Sequence, residues 1–397
     1  MPPEDEKPLL MIFPMELASH YLRCLVLCKR LESNFRIEIA ASTVYRQFID
    51  NAGLKTFKVL QFEHEEVKNS AANFDFSWLN KEKLIDIMES QVEVIMDRRP
   101  YAVLGDASFT LKMATERTAT RFISLVNGYM TKYYGLGRGV PRSHPGYKYS
   151  KKIPRRMFKI IAMVMEHRSL RAVHEPFRAI RDSQRLRQTR YLLDEFEGDL
   201  NLVCDLPEFF PLRNAPPSYH YIGPLYYLSD RDERWILSFL DGSAPNVLVT
   251  MGSSGDWKKL SFLKNSIFSK YRFVLSGNAD RTINLPNAVS RTFINHVSIL
   301  PKIDLVICHG GNGTIYQALS FGVPVLSIPA NFESEWNSNR IQNMGLGEVI
   351  ESHYNADEID VLMQSWIKRR RNKRFQKFSK QIMTYTNMPI NIAELLQ

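Results

Sequence analysis

The residues most able to do chemistry in this 397-residue chain stand together in His309-Gly310-Gly311-Asn312-Gly313-Thr314. Three glycines separate a short apolar run, Leu305–Cys308, from a stretch with helical spacing at Ile315, Ala318, Leu319 and Phe321. Glycine lets a backbone come close to a ligand. A glycine loop that opens a helix aims free N–H groups and the positive end of the helix dipole outward, so its natural ligand is a phosphate. A second candidate is His20, just past the apolar run 8–13. Histidine changes charge near neutral pH, which suits it to act as a general base. Asp106 follows the apolar run 101–104 and, read alone, is also a fitting N-cap for the next helix. Asp230-Arg231-Asp232 is the only Asp-x-Asp, and it reads as a solvated helix start in a linker rather than a metal site.

These residues need a frame that holds them. Apolar runs at 8–13, 35–40, 57–60, 101–104, 122–126 and 201–204 read as strands, with helical patterns at 17–31 and 79–96 between them. A second alternating series starts at Trp235, with strands at 247–250, 271–275, 289–293, 305–308 and 323–328 and a helical stretch at 357–380. Strands alternating with helices predict α/β architecture with doubly wound parallel sheets, whose ligands bind at the carboxyl ends of the strands. A chain of this length predicts two domains. From 153 to 195 the pattern is helical, with an apolar face at Ile153, Met157, Ile160, Ile161, Val164 and Met165.

The stretch from His309 to Thr314, the following Gly322-Val323-Pro324 and the downstream Glu335-Trp336-Asn337-Ser338-Asn339 resemble the donor-binding signature of family 1 glycosyltransferases. The resemblance implies two Rossmann-like domains facing a cleft (the GT-B fold), with a C-terminal segment returning to the first domain. The expected boundaries are 1–226 for the acceptor domain, with a basic helical insertion at 142–195, 227–380 for the nucleotide-sugar domain, and 381–397 for the returning segment. It implies an inverting, metal-independent transfer of a hexosyl group from a nucleotide sugar, UDP- or dTDP-linked, with no other cofactor. By the same resemblance His20 is the catalytic base and Asp106 the acid that orients it. His309, Gly311, Asn312, Gly313, Thr314 and Asn339 meet the diphosphate, with Ser253 and Ser254 facing it from another strand, and Glu335 grips the sugar. The chain departs from the family at Ser19, where a glycine is usual, at Gln317, where a ribose-binding Glu is usual, and at Trp336, where a Gln is usual. Two other readings follow: a nucleotide-sugar 2-epimerase on the same fold, and a catalytically weak nucleotide-sugar or membrane-binding relative.

The net charge of +10 is concentrated. Between 142 and 190 stand fourteen Lys and Arg residues against Glu166, Glu175 and Asp182. This is either a solvated helical surface or a contact for an anionic membrane surface or acidic acceptor. No nucleic-acid module accompanies it, so nucleic acid is not an expected partner. Met113, Tyr129, Met130, Tyr133 and Tyr134 are read as apolar surface for an apolar or lipid-like acceptor. Four scattered cysteines, an N-terminus without a secretory pattern and no apolar run of membrane-spanning length predict a cytoplasmic protein, peripheral on the membrane if the basic stretch binds lipid.

Overall fold

The computed structural model describes residues 7–73, 75–142, 144–150, 152–227, 233–252, 255–278, 282–370 and 372–396. The described residues of 1–140, 144–225 and 385–397 form one compact unit, and those of 141–143 and 226–384 form a second. Each unit is a Rossmann-like α/β fold built on one parallel sheet.

In the first unit the strands are β1 (Leu9–Pro14), β2 (Arg36–Ala40), β3 (Lys55–Phe57), β4 (Ala102–Asp106), β5 (Arg121–Val126), β6 (Leu200–Val203) and β7 (Tyr219–Tyr221). They run in the order β3-β2-β1-β4-β5-β6-β7. Every residue of β1 and β4 is buried, as strands covered on both faces must be. The order reverses between β1 and β4, which makes their carboxyl ends the switch point where such sheets bind ligands. Pro14 pairs with Asp106 there, so Asp106 sits beside the chain as it leaves β1 for the helix Ala18–Leu31. That helix buries Tyr21, Cys24, Leu25, Cys28 and Leu31, a stripe at helical spacing. His20 and Arg23, three apart, lie together beside the stripe.

In the second unit β8 (Asn246–Thr250), β9 (Arg272–Ser276), β10 (Ala288–Arg291), β11 (Leu305–Cys308), β12 (Val325–Ser327) and β13 (Gly347–Val349) run in the order β10-β9-β8-β11-β12-β13. Its switch point lies between β8 and β11, whose carboxyl ends lead into Gly252 and His309. The helix expected at 357–380 is two helices, Ala356–Ile367 and Lys373–Thr386. Asn372 starts the second by accepting the N–H groups of Arg374 and Phe375 at 3.0 and 3.1 Å. Residues 385–397 belong to the first unit: Arg30 donates to the carbonyls of Ile222 and Met388, and Gly223 lies so close to Tyr385 that a Cβ would fall 2.6 Å from it.

The basic insertion is two helices, Arg155–Val173 and Glu175–Ser183. The second is anchored by Phe177 and Ile180, which join the aromatic core around Trp78, Phe109 and Phe196. In the first, the apolar residues Met157, Ile160, Ile161, Val164 and Met165 are exposed. Nor are all the positive charges on the surface. Arg181 is wholly buried, with Nε and Nη2 donating to Glu195 at 2.9 and 2.6 Å and Nη1 donating to Glu116 at 2.7 Å. His174 and Thr189 complete the shell of Glu195. Replacing Arg181 with Met leaves Glu195 buried without its guanidinium, so we expect a loss of roughly 3–5 kcal/mol in denaturant unfolding. A loss below about 1 kcal/mol would show that the pair does not hold the insertion in place.

Candidate active site

In the first unit His20 and Asp106 meet: Nδ1 of His20 lies 2.8 Å from Oδ1 of Asp106. The carboxyl is fully buried and the imidazole mostly so, at 0% and 14% exposure. A third residue, which the sequence reading missed, shares the carboxylate. Arg23 donates from Nε to Oδ2 of Asp106 and from Nη2 to Oδ1, a two-pronged ion pair. Its Nη1 donates to Oδ1 of Asn127 at 2.6 Å, and the Asn127 amide donates to buried Asp205 at 3.1 Å. The carboxyl ends of β1, β4, β5 and β6 thus carry one continuous polar chain. Burial alone would push the Asp106 carboxyl up, but Arg23, and then His20, outweigh it and hold it down at about 2. Asp106 is therefore ionised throughout the neutral range.

Beside this cluster a pocket opens at the ends of β1 and β4, lined by Phe13, Met15, Val59, Phe62 and Phe109. Glu16 also lines it, buried, with Oε1 accepting from Ser42 and Oε2 lacking a hydrogen-bond partner among the described residues. Burial pushes the Glu16 carboxyl up. Two residues read as acceptor surface are not available for that role. Met113 and Tyr129 are wholly buried, Tyr129 against Phe210, since both belong to the packed core.

In the second unit the imidazole of His309 lies in a cradle of glycines. A Cβ on Gly252, Gly255 or Gly311 would fall 2.5, 2.9 or 2.6 Å from His309 atoms. Its Nδ1 is buried with no hydrogen-bond partner among the described residues. Burial pushes the ring down to about 4, so it is neutral at pH 7 with one N–H to give. The helix Asn312–Ser320 follows, with no side-chain cap and no acidic residue in its first turn. Gly310, at φ +87°, is required by its contact with Ser334 and Ser338. Gly313 is different. It is helical, its φ is ordinary, and a Cβ there meets nothing within 4 Å. Asn312 and Thr314 sit half-buried on the same turn.

Of the other expected residues, Gln317 is engaged within the protein. Its Oε1 is 3.1 Å from Nδ1 of His296, and its Nε2 donates to the carbonyl of Tyr227 at 3.1 Å. Nε2 of His296 lies 2.8 Å from the Ser276 hydroxyl, completing a chain of three. Glu335 is buried and accepts the backbone N–H of Arg142 at 2.6 Å, while the Arg142 guanidinium grips Glu351 with two hydrogen bonds. Trp336 packs edge-on against Phe332. Asn339 lies exposed on its helix, whereas buried Asn337 donates to the carbonyl of Gly310 at 3.1 Å. Ser253, Ser254, Asp230 and Asp232 lie outside the described residues. Among the described residues no group of three His, Cys, Asp or Glu side chains is placed to hold a metal, and no helix is long and apolar enough to cross a membrane.

Residues 274–391 match the family described as erythromycin biosynthesis protein CIII-like, C-terminal domain. Over 339 residues, 84% of this chain and 78% of the relative, the sequence is 23% identical to a PGL/p-HBAD biosynthesis glycosyltransferase of Mycobacterium tuberculosis. The glycotransferase of kitacinnamycin superposes with a TM-score of 0.68 at 13% identity, covering 96% of each chain. The spinosyn rhamnosyltransferase SpnG complexed with thymidine diphosphate superposes at 0.64 with 16% identity, covering 94% of this chain and 96% of that one. The chain is a glycosyltransferase of the GT-B fold. The EryCIII-like match falls on the part of the chain that carries His309 and the glycine loop.

The glycines make a paired prediction. Gly252→Ala drives a methyl into His309 at positive φ and should destabilise the second unit. Gly313→Ala places a helix-favouring residue in open space and should leave thermal stability unchanged or raise it by up to ~1 kcal/mol. Equal losses for both would show that Gly313 is kept for packing.

Proposed function

We propose that this protein moves a sugar from a UDP- or dTDP-linked donor to a hydroxyl of an apolar, lipid-like acceptor, with inversion and without a metal. One observation carries the donor half: a neutral histidine whose Nδ1 has no hydrogen-bond partner among the described residues, beside a helix start with no acidic residue in its first turn, at a glycine where an added Cβ would meet none of the described residues. The diphosphate would take the N–H groups of Asn312, Gly313 and Thr314 and a hydrogen bond from His309, and the helix dipole would stabilise its charge as the glycosidic bond breaks. His20 would accept the proton of the attacking hydroxyl, and Asp106 would hold its Nδ1–H. With His20 as the base and the acceptor hydroxyl itself as the nucleophile, the step would be a direct displacement at the anomeric carbon, hence inversion. Support for the partners comes from SpnG, solved once with thymidine diphosphate and again with its aglycone.

The partnered side chains Gln317 and Glu335 favour a second reading, a donor-binding relative with little turnover. Calorimetry with UDP, dTDP and their sugars, with and without magnesium, separates the two. Magnesium-independent binding of a diphosphate, weakened about tenfold or more by Gly313→Ala, is the expected result. No binding to any member of the panel would remove the donor site from the proposal. His20→Ala should abolish transfer and leave donor binding intact; transfer near the wild-type rate would remove His20 as the base.

The exposed helix face gives the membrane part of the proposal. Met157, Ile160 and Val164 stand outward between exposed Lys152, Arg156, Arg168 and Arg171. That pairing of apolar and cationic groups fits an anionic bilayer surface. Vesicles containing phosphatidylglycerol should sediment the protein, and Ile160→Asp with Val164→Asp should release it. Equal sedimentation with neutral phosphatidylcholine would sink the electrostatic part.

A further inference from the structure

Arg23 carries an inference that rests on the reading of His20 as the base. Its guanidinium is 12% exposed and ends against four groups from four places in the fold: Asp106 at the end of β4, Asn127 after β5, Cys204 after β6 and His20 on its own helix. Nδ1 of His20 has two neighbours, Oδ1 of Asp106 at 2.8 Å and Nη2 of Arg23 at 3.0 Å. It can serve only one. If Nδ1 carries the proton, it donates to Asp106, and Nε2 keeps the lone pair that a base needs. If Nδ1 accepts from Arg23, the proton sits on Nε2 and the ring cannot take one from an acceptor.

Charge decides between the two. Nη2 gives one of its two N–H groups to the ionised Asp106, and a guanidinium has no acceptor to offer. Nδ1 has the carboxylate as its nearer neighbour, at 2.8 Å against 3.0 Å, and a hydrogen bond from Nδ1–H to that full negative charge is the stronger arrangement. Among the described residues the other charged or titratable groups facing this cluster are Cys24, whose thiol is 3.7 Å from Asp106 and pushed well up by burial, Cys204, also pushed up by burial, the phenol of Tyr129, which acts on Arg23, and Asp205 beyond Asn127. None supplies a second cation.

We propose that Arg23 is a positioning residue. It is the permanent counter-charge that keeps the buried Asp106 ionised and aimed whether or not His20 is protonated, and so it fixes His20 in the tautomer with Nε2 free. The arrangement moderates the pair as well. A cation beside Nδ1 opposes the charge that His20 acquires when it takes a proton.

Two measurements test this. In the wild-type protein with 15N-labelled histidine, the His20 signals, assigned by their loss in His20→Gln, should show a protonated Nδ1 and an unprotonated Nε2 above the titration midpoint. The reverse pattern overturns the proposal, and this arm requires neither turnover nor a variant that folds differently. The second arm is Arg23→Met. It removes a cation 3.0 Å from Nδ1 and leaves the Asp106 carboxylate facing His20 alone, so the imidazolium gains. The His20 titration, and the acid limb of the kcat/KM profile with it, should move up by ~1 pH unit or more. Arg23→Lys keeps the charge but not the two-pronged geometry, so its limb should stay near wild type while kcat falls. A lower kcat in Arg23→Met with an unmoved titration would make Arg23 a packing residue only. If no acceptor is turned over even by the wild type, the transferase reading falls, and the nitrogen shifts still decide the role of Arg23.

Discussion

A fully buried carboxylate needs cations or hydrogen-bond donors to meet it, and at Asp106 the first unit is arranged around that requirement. Asp106 is placed by β4, and its register with Pro14 sets it beside the entry to the Ala18–Leu31 helix. Arg23 reaches it from the second turn of that helix and His20 from the first. The guanidinium then has donors left over; Asn127 accepts from one of them and passes the chain on by donating its own amide to Asp205. A switch point is thereby held as one hydrogen-bonded unit rather than as a pair.

The two units solve opposite electrostatic problems at equivalent places in their sheets. At the first switch point a histidine is held against a carboxylate and a guanidinium, which equips it to gain and release a proton. At the second, His309 has glycines around it and burial alone to act on it, which keeps it neutral and makes it a donor of hydrogen bonds. Under the proposed roles, the surroundings alone would separate base from binder without any change of residue type.

The legible parts of the sequence were those that local physics dictates. The apolar runs gave strands because buried parallel strands tolerate little else, and the loop from His309 was readable because glycines before a helix have few other uses. Arg23 was hidden because its partners Asp106 and Asn127 are 83 and 104 residues away; the available sign was an arginine set between Leu22 and Cys24 on an apolar helix. The contact of Asn337 with the Gly310 carbonyl was not readable, because a pattern of residue types does not say which side of a helix meets the loop. The periodicity of the Arg155–Val173 helix marked its apolar stripe correctly but carried no information on whether anything covers it. Tyr129 and Met113 show the converse: large apolar residues near a site are more often packed beneath it than open to it.

Gln317 illustrates how a departure from a pattern can be forced by a neighbour. Its amide links two groups with opposite needs, accepting from the His296 side and donating to the Tyr227 carbonyl. Burial pushes His296 down, so the ring is neutral and offers one proton, and Ser276 can satisfy its other nitrogen. A glutamate at 317 would face the Tyr227 carbonyl with no proton to donate, and its charge would pull a proton onto a buried ring. With His296 and the Tyr227 carbonyl as its neighbours, glutamine is the side chain that satisfies both ends. The substitution at 317 is therefore explained inside the protein, and any contact Gln317 makes to a ribose must use the one N–H and the one lone pair that this chain leaves over.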